Sequence, residues 1–158
     1  MRYIVLIFIF LATSAAAEKG FFFDEGITAD DIKNLEVRVE LGDNATGACW
    51  TNLKEVREYA EEKLRTFGVK VSQVEYTVAE ENIYWLKINV YAQRLYKDGS
   101  GPCLGNFSYN LIGWHKINGT KHMAFLGVLS SDSSISSSDN FNRPVLVGLE
   151  QVFADFPK

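Results

Sequence analysis

His115 and His122 are the only histidines in the chain, and they flank Asn118-Gly119, a dipeptide suited to a two-residue type I′ hairpin. That turn fixes a register between the strand-like runs 106–117 and 120–130. Ile117 falls opposite Thr120, Lys116 opposite Lys121, His115 opposite His122, Trp114 opposite Met123 and Ile112 opposite Phe125. Imidazoles about 5 Å apart across a hairpin supply two ligands to zinc or copper. A structural zinc takes four protein ligands and a catalytic one about three plus water, yet Tyr109, Leu111 and Gly113, which share the face, add no strong third ligand. His115 and His122 are thus a candidate metal pair, against the simpler reading of solvated histidines near a hairpin tip. No resident cofactor is implied.

Serine crowds residues 130–140, SSDSSISSSDN, but neither a G-x-S-x-G elbow nor an H-E-x-x-H helix occurs. With both histidines on one hairpin, a Ser-His-acid triad would have to assemble around its tip from distant loops. A small hydrolase or metal-binding protein using the His115/His122 hairpin is one alternative, and a linker is the plainer account of the serines. No glycine loop suited to phosphate appears. Asn44-Ala45-Thr46, Asn106-Phe107-Ser108 and Asn118-Gly119-Thr120 match the glycosylation acceptor pattern, which in a bacterial host usually carries no meaning.

A binding surface is the other chemistry the sequence offers. Tyr84, Leu86, Ile88, Val90 and Ala92 alternate with Trp85, Lys87, Asn89, Tyr91 and Gln93, so Trp85 and Tyr91 project opposite an aliphatic face, and Trp114 can join them from the neighbouring hairpin. Trp85, Tyr91 and Trp114 form a candidate site for a peptide, a glycan or an envelope or extracellular partner protein. The competing reading covers the same aromatics with helices or with Phe21-Phe22-Phe23.

Residues 1–17, MRYIVLIFIFLATSAAA, set the context: Arg2 gives a basic start, Tyr3 to Ala12 an apolar run and Ala15-Ala16-Ala17 an A-x-A-like cleavage site. The expectation is a signal peptide, cleaved before Glu18, and a periplasmic or secreted product with no stable membrane insertion afterwards. Removing 17 of 158 residues leaves 141, enough for one domain with its own core. With Arg2 gone, 15 basic residues face 20 acidic ones, a net charge of −5. Such a balance argues against a nucleic-acid partner. Cys49 and Cys103 are the only cysteines, and in an exported chain they are expected to pair, closing 53 intervening residues and stabilising by about 3 to 4 kcal/mol.

These features must be positioned by a small set of elements. Residues 18–34 read as an irregular arm, where Thr28 with Asp30 and Asp31 can cap a short helical turn. Leu35, Val37, Val39 and Leu41 alternate with Glu36, Arg38 and Glu40, a half-buried strand that Gly42-Asp43-Asn44 is expected to end. Leu53, Val56, Ala60, Leu64 and Phe67 then take helical spacing over Asn52 to Phe67, with charges on the opposite side. Asn52 with Glu55 resembles a capping box, Gly68 suits a left-handed C-terminal cap, and Glu61 and Arg65 are spaced to pair. Val69 to Val78 reads as extended and Glu80-Glu81-Asn82 as a turn, before the strands described above. Pro144 to Phe156 closes the chain as a helix, with Val145, Leu149, Val152, Phe153 and Phe156 on its apolar side.

The order of these elements, especially CWTNLKEVREYAEEKLRTFGVKV, YWLKINVYAQ, the hairpin and the ending FADFPK, resembles a group of short exported bacterial proteins of unknown function. That resemblance spans most of residues 35–158 and implies a periplasmic or secreted place without an activity. A helix followed by an antiparallel meander in a secreted chain also resembles the cystatin class of protease inhibitors. Its Gln-x-Val-x-Gly hairpin is not matched by Gln93-Arg94-Leu95-Tyr96-Lys97.

The sequence therefore predicts a single α+β domain over residues 35–158, with two helices packed on one face of an antiparallel sheet of four to five strands. A non-catalytic exported binding or assembly-accessory protein is the favoured function. A secreted inhibitor of cystatin-like architecture stands beside the hydrolase or metal protein as an alternative.

Overall fold

In chain order the computed structural model contains β1 (Phe22–Phe23), β2 (Glu36–Ala45), α1 (Leu53–Thr66), β3 (Lys70–Val71), β4 (Ile83–Arg94), β5 (Cys103–Ile117), β6 (Thr120–Ser130) and α2 (Asn142–Ala154). The structure describes residues 22–23, 30, 33–73, 83–117, 120–130 and 139–156, and of 22–23, 83, 114–117 and 120–130 only the backbone. The expected leader, most of the expected N-terminal arm and its helical turn, the run expected to be extended beyond Gln73, the turns expected at Glu80-Glu81-Asn82 and Asn118-Gly119, and most of the serine run lie outside these residues.

The strands form one sheet in the order β1-β6-β5-β4-β2-β3, four long strands with a two-residue strand at each edge. The α+β class with two packed helices is as expected, but the sheet is mixed. β4, β5 and β6 make an antiparallel meander and β1 pairs antiparallel with β6, whereas β2 runs parallel to both β3 and β4. The physical reason lies in α1, which carries the chain back along the sheet, so that the strand after it starts from the same end as β2.

Pairing of β2 with β4 continues from Glu36↔Ile83 to Ala45↔Ala92, which corrects the expectation that Gly42-Asp43-Asn44 ends the strand. A Cβ at Gly42 would stand 2.3 Å from the Oδ1 of Asn89, its partner on β4. Glycine here admits a cross-strand amide rather than breaking the strand. On the other side of the meander, β5 and β6 pair Ile117↔Thr120, His115↔His122, Trp114↔Met123 and Ile112↔Phe125, the register that the Asn-Gly dipeptide implies. A bulge between Leu111 and Ile112 then shifts Leu111 to Gly127.

Alternation decides which sheet face is core. Val37, Val39, Tyr84, Leu86, Ile88, Val90, Tyr109 and Leu111 are buried with Val56, Ala60 and Leu64 of α1 and Val145, Leu149, Val152 and Phe153 of α2. The two helices start side by side. Phe141, fully buried before α2, donates its N–H to the Cys49 carbonyl at 2.7 Å, which starts the helix two residues ahead of Pro144. Pro144 still falls in the first turn, where a missing N–H costs little. Phe156 lies past the helix end and packs its ring 5.1 Å from both Phe67 and Phe153.

The capping box at α1 is not formed. Asn52 donates its side-chain N–H to the Glu55 carboxylate at 2.8 Å, and its Oδ1 caps no helix N–H. Glu61 does pair with Arg65, at 2.9 Å.

Candidate functional site

Opposite the helices, the sheet face that neither helix covers is ruled by rows of cross-strand neighbours. One row aligns Arg38, Trp85 and Ile112; the next aligns Glu40, Lys87 and Asn110. Two rows further on, Asn44 of β2, Tyr91 of β4 and Asn106 of β5 lie side by side, spanning about 10 Å at the usual strand spacing. Both outer residues of this row are exposed amides, and the tyrosine between them is 53% exposed.

Trp85 and Tyr91 do share this face, as alternation implies, but they do not form one site. Six residues of strand put them about 20 Å apart, and Trp85 is half-buried where Tyr91 is open. Between them the Lys87 ammonium sits 3.4 Å from the Glu40 carboxylate, which neutralises the middle of the face. Trp114 pairs with Met123 two residues beyond Ile112, towards the Trp85 end; its side chain is not among those described.

The Tyr91 end is shaped by loops that the strands bring together. Cys49 and Cys103 are joined in a disulfide, the pairing expected of the two cysteines, with Cα atoms 5.6 Å apart. The bridge holds the turn after β2 against the start of β5. Arg94, the last residue of β4, reaches across this end and donates to two backbone carbonyls, Gly47 at 2.9 Å and Gly101 at 2.8 Å. Its cation is thereby engaged in tying the turn to the β4–β5 loop. Ala48 sits in that turn at φ 56°, a left-handed conformation that costs a non-glycine residue about 1 kcal/mol.

The β4–β5 loop is itself ordered by short-range bonds. Tyr96 donates its N–H to Ser100 at 3.3 Å, and its carbonyl accepts from Gly99 at 3.1 Å. Ser100 donates its hydroxyl and N–H to the Asp98 carboxylate, which holds that carboxyl below its ordinary range. A Cβ at Gly101, whose φ is 82°, would stand 2.5 Å from the Tyr96 ring, so glycine lets the ring lie against the loop. Tyr96 and Leu95, just past the end of β4, remain 56% and 47% exposed.

Two adjoining depressions result. One, of about 310 Å³, is lined by Asn44, Thr46, Tyr91, Ala92, Gln93, Leu104 and Gly105. The other, of about 450 Å³, shares Thr46 and Gln93 with it and extends over Arg94, Leu95, Tyr96 and Lys97. Neither lining contains a carboxylate, an imidazole or a thiol; the two offer phenol rings, amides, a hydroxyl and the cations of Arg94 and Lys97.

His115 and His122 are Cα partners on β5 and β6, and their imidazoles are not among the side chains described. Among the described residues no group of three or more His, Cys, Asp or Glu is placed to hold a metal ion, and no helix is long and apolar enough to cross a membrane. Alternation found Tyr91. It put Gln93 on the same face without marking it, and it gave no sign of Tyr96 or of the placement of Asn44 and Asn106, which had stood out only as acceptor triplets; the parallel pairing of β2 with β4 is what places Asn44 beside Tyr91. The chain matches no protein family, no curated protein and no solved structure.

Proposed function

We propose that this is an exported, non-catalytic binding protein whose ligand lies on the Tyr91 end of the open sheet face. The observation that carries the reading is the row Asn44, Tyr91, Asn106: an exposed aromatic ring flanked by exposed amides on a face that the helices leave uncovered. The disulfide and Arg94 fix the loops around that row before any ligand arrives, which lowers the ordering cost of binding. Export is supported by the leader-like start and by the Cys49–Cys103 bridge, since disulfides persist in oxidising compartments.

The test has two arms. N-terminal sequencing of the protein recovered outside the cytosol is expected to begin at Glu18; recovery of the full-length chain in the cytosol alone overturns export. Ligand recovered with the wild-type protein from an envelope or extracellular fraction is expected to be lost with Tyr91→Ala and retained with Trp85→Ala. Equal recovery by all three proteins rules out the Tyr91 face as the site.

A further inference from the structure

We infer that the ligand of the Tyr91 groove is a neutral oligosaccharide, a reading that rests on the binding function proposed above and names its chemistry. Charge makes the first selection. The depressions contain no carboxylate, and of their two cationic residues Arg94 is engaged by the Gly47 and Gly101 carbonyls, leaving the exposed Lys97. An anionic polymer such as a nucleic acid needs a set of phosphate-facing cations that this groove does not have. A cationic ligand finds no acid in the lining with which to pair.

Apolar area makes the second selection. The exposed large hydrophobic side chains here are Tyr91, Leu95 and Tyr96. A stable protein interface buries roughly 800 Å² on each partner around an apolar core, and three side chains interleaved with amides and glycines do not provide one. What remains suits a ligand with apolar patches and many uncharged hydroxyls. A pyranose ring presents C–H groups on its faces, which pack on the electron-rich face of a phenol ring, and equatorial hydroxyls at its edge. Asn44 and Asn106 stand on either side of Tyr91, one strand spacing away, where their amides can both donate to and accept from such hydroxyls. Gln93 and Thr46, shared by the two depressions, continue the polar lining from Tyr91 towards Tyr96. Two exposed phenols, Tyr91 in one depression and Tyr96 in the other, joined by a polar floor, fit separated units of a sugar chain better than a single monosaccharide.

The test is titration of the purified, disulfide-bonded protein with neutral hexasaccharides of gluco, manno, galacto, xylo and N-acetylgluco configuration, read by calorimetry and by backbone amide shifts. At least one is expected to bind and to shift the amides of residues 91–97 and 104–106, with its monosaccharide at least tenfold weaker. Tyr91→Ala is expected to weaken binding by about tenfold, and Asn106→Ala by a smaller factor, with unchanged melting. Trp85→Ala is expected to leave affinity unchanged. Binding of no hexasaccharide, or binding insensitive to Tyr91→Ala, overturns the inference. A peptide or protein ligand lost with Tyr91→Ala overturns the oligosaccharide while sustaining the binding face. If no ligand of any class is sensitive to Tyr91→Ala, both readings fail together.

Discussion

Thr51 and Asn142 exchange two hydrogen bonds: the Thr51 N–H donates to Asn142 Oδ1 and the Asn142 amide donates to the Thr51 hydroxyl, each at 2.9 Å. These residues are 91 positions apart and sit at the starts of α1 and α2, so one side chain ties the two helix N-termini together. Asn142→Ala is expected to destabilise the protein by about 1 to 2 kcal/mol in urea unfolding, because it removes both bonds at once. Asn142→Asp keeps the acceptor for Thr51 and adds negative charge near a helix N-terminus, so it is expected to recover part of the loss. An alanine variant as stable as wild type would show that these bonds merely replace equivalent ones to water.

The Cys49–Cys103 bridge closes a 54-residue separation and anchors the turn that borders the Tyr91 groove. Replacing both cysteines with serine is expected to cost about 3 to 4 kcal/mol, chiefly by freeing the unfolded chain. The same change should raise hydrogen exchange at residues 46–48 and 101–104 in the folded state. A stability loss with no change in local exchange would assign the bridge to overall stability alone and remove it from the shaping of the groove.

Gly68 ends α1 in a left-handed conformation, at φ 80°, with the Gly68 N–H donating to Arg65 and the Val69 N–H donating to Leu64. That pair of bonds is the Schellman arrangement, and the buried side chains of Val69 and Leu64 supply its apolar contact. A Cβ at Gly68 meets only Lys33 Cγ, at an ordinary 3.5 Å. Backbone conformation is therefore the whole difficulty, and Gly68→Ala is expected to cost about 1 kcal/mol. Gly68→Asn should cost less, since asparagine tolerates the same region. Equal losses for the two would point to packing against Lys33 as the cause.

Local chemistry was legible where the neighbours in sequence are the neighbours in space. Gly68 and the Glu61–Arg65 pair depend on a few adjacent residues, and the His115↔His122 register is the one that the Asn118-Gly119 dipeptide implies. The parallel pairing of β2 was not legible, because β2 alternates in the same way whichever direction its partner runs. For the same reason the site was only half visible: Tyr91 announces itself on its own strand, but Asn44 joins it through a contact 47 residues away. Asn52 and Glu55 had the residue types of a capping box, yet Asn52 lies against the start of α2 and its amide turns to the Glu55 carboxylate and the Asn142 carbonyl. A tertiary neighbour outcompeted the local pattern.

Tyr109 on β5 is fully buried, and its hydroxyl donates to the Val145 carbonyl in α2. Burial pushes its phenol well above the ordinary value near 10, since the phenolate would lose its hydration. In the unfolded chain the phenol ionises near pH 10, while in the folded chain it keeps its proton. The unfolded state therefore binds fewer protons above about pH 10, and stability falls as pH rises, by up to about 1.4 kcal/mol per pH unit for this one group. Below pH 10 both states are protonated and the contribution is constant. Tyr59 and Tyr84 are shifted in the same direction by burial and add to the fall. Tyr109→Phe is expected to lower stability at pH 7 by about 1 kcal/mol through the lost hydrogen bond. It should also make the decline between pH 10 and 12 shallower, because one ionisation is removed from the unfolded state. Urea unfolding of both proteins at intervals from pH 7 to 12 measures the two effects separately. An unchanged alkaline slope in the phenylalanine variant would mean that the buried hydroxyl is not what links folding to high pH.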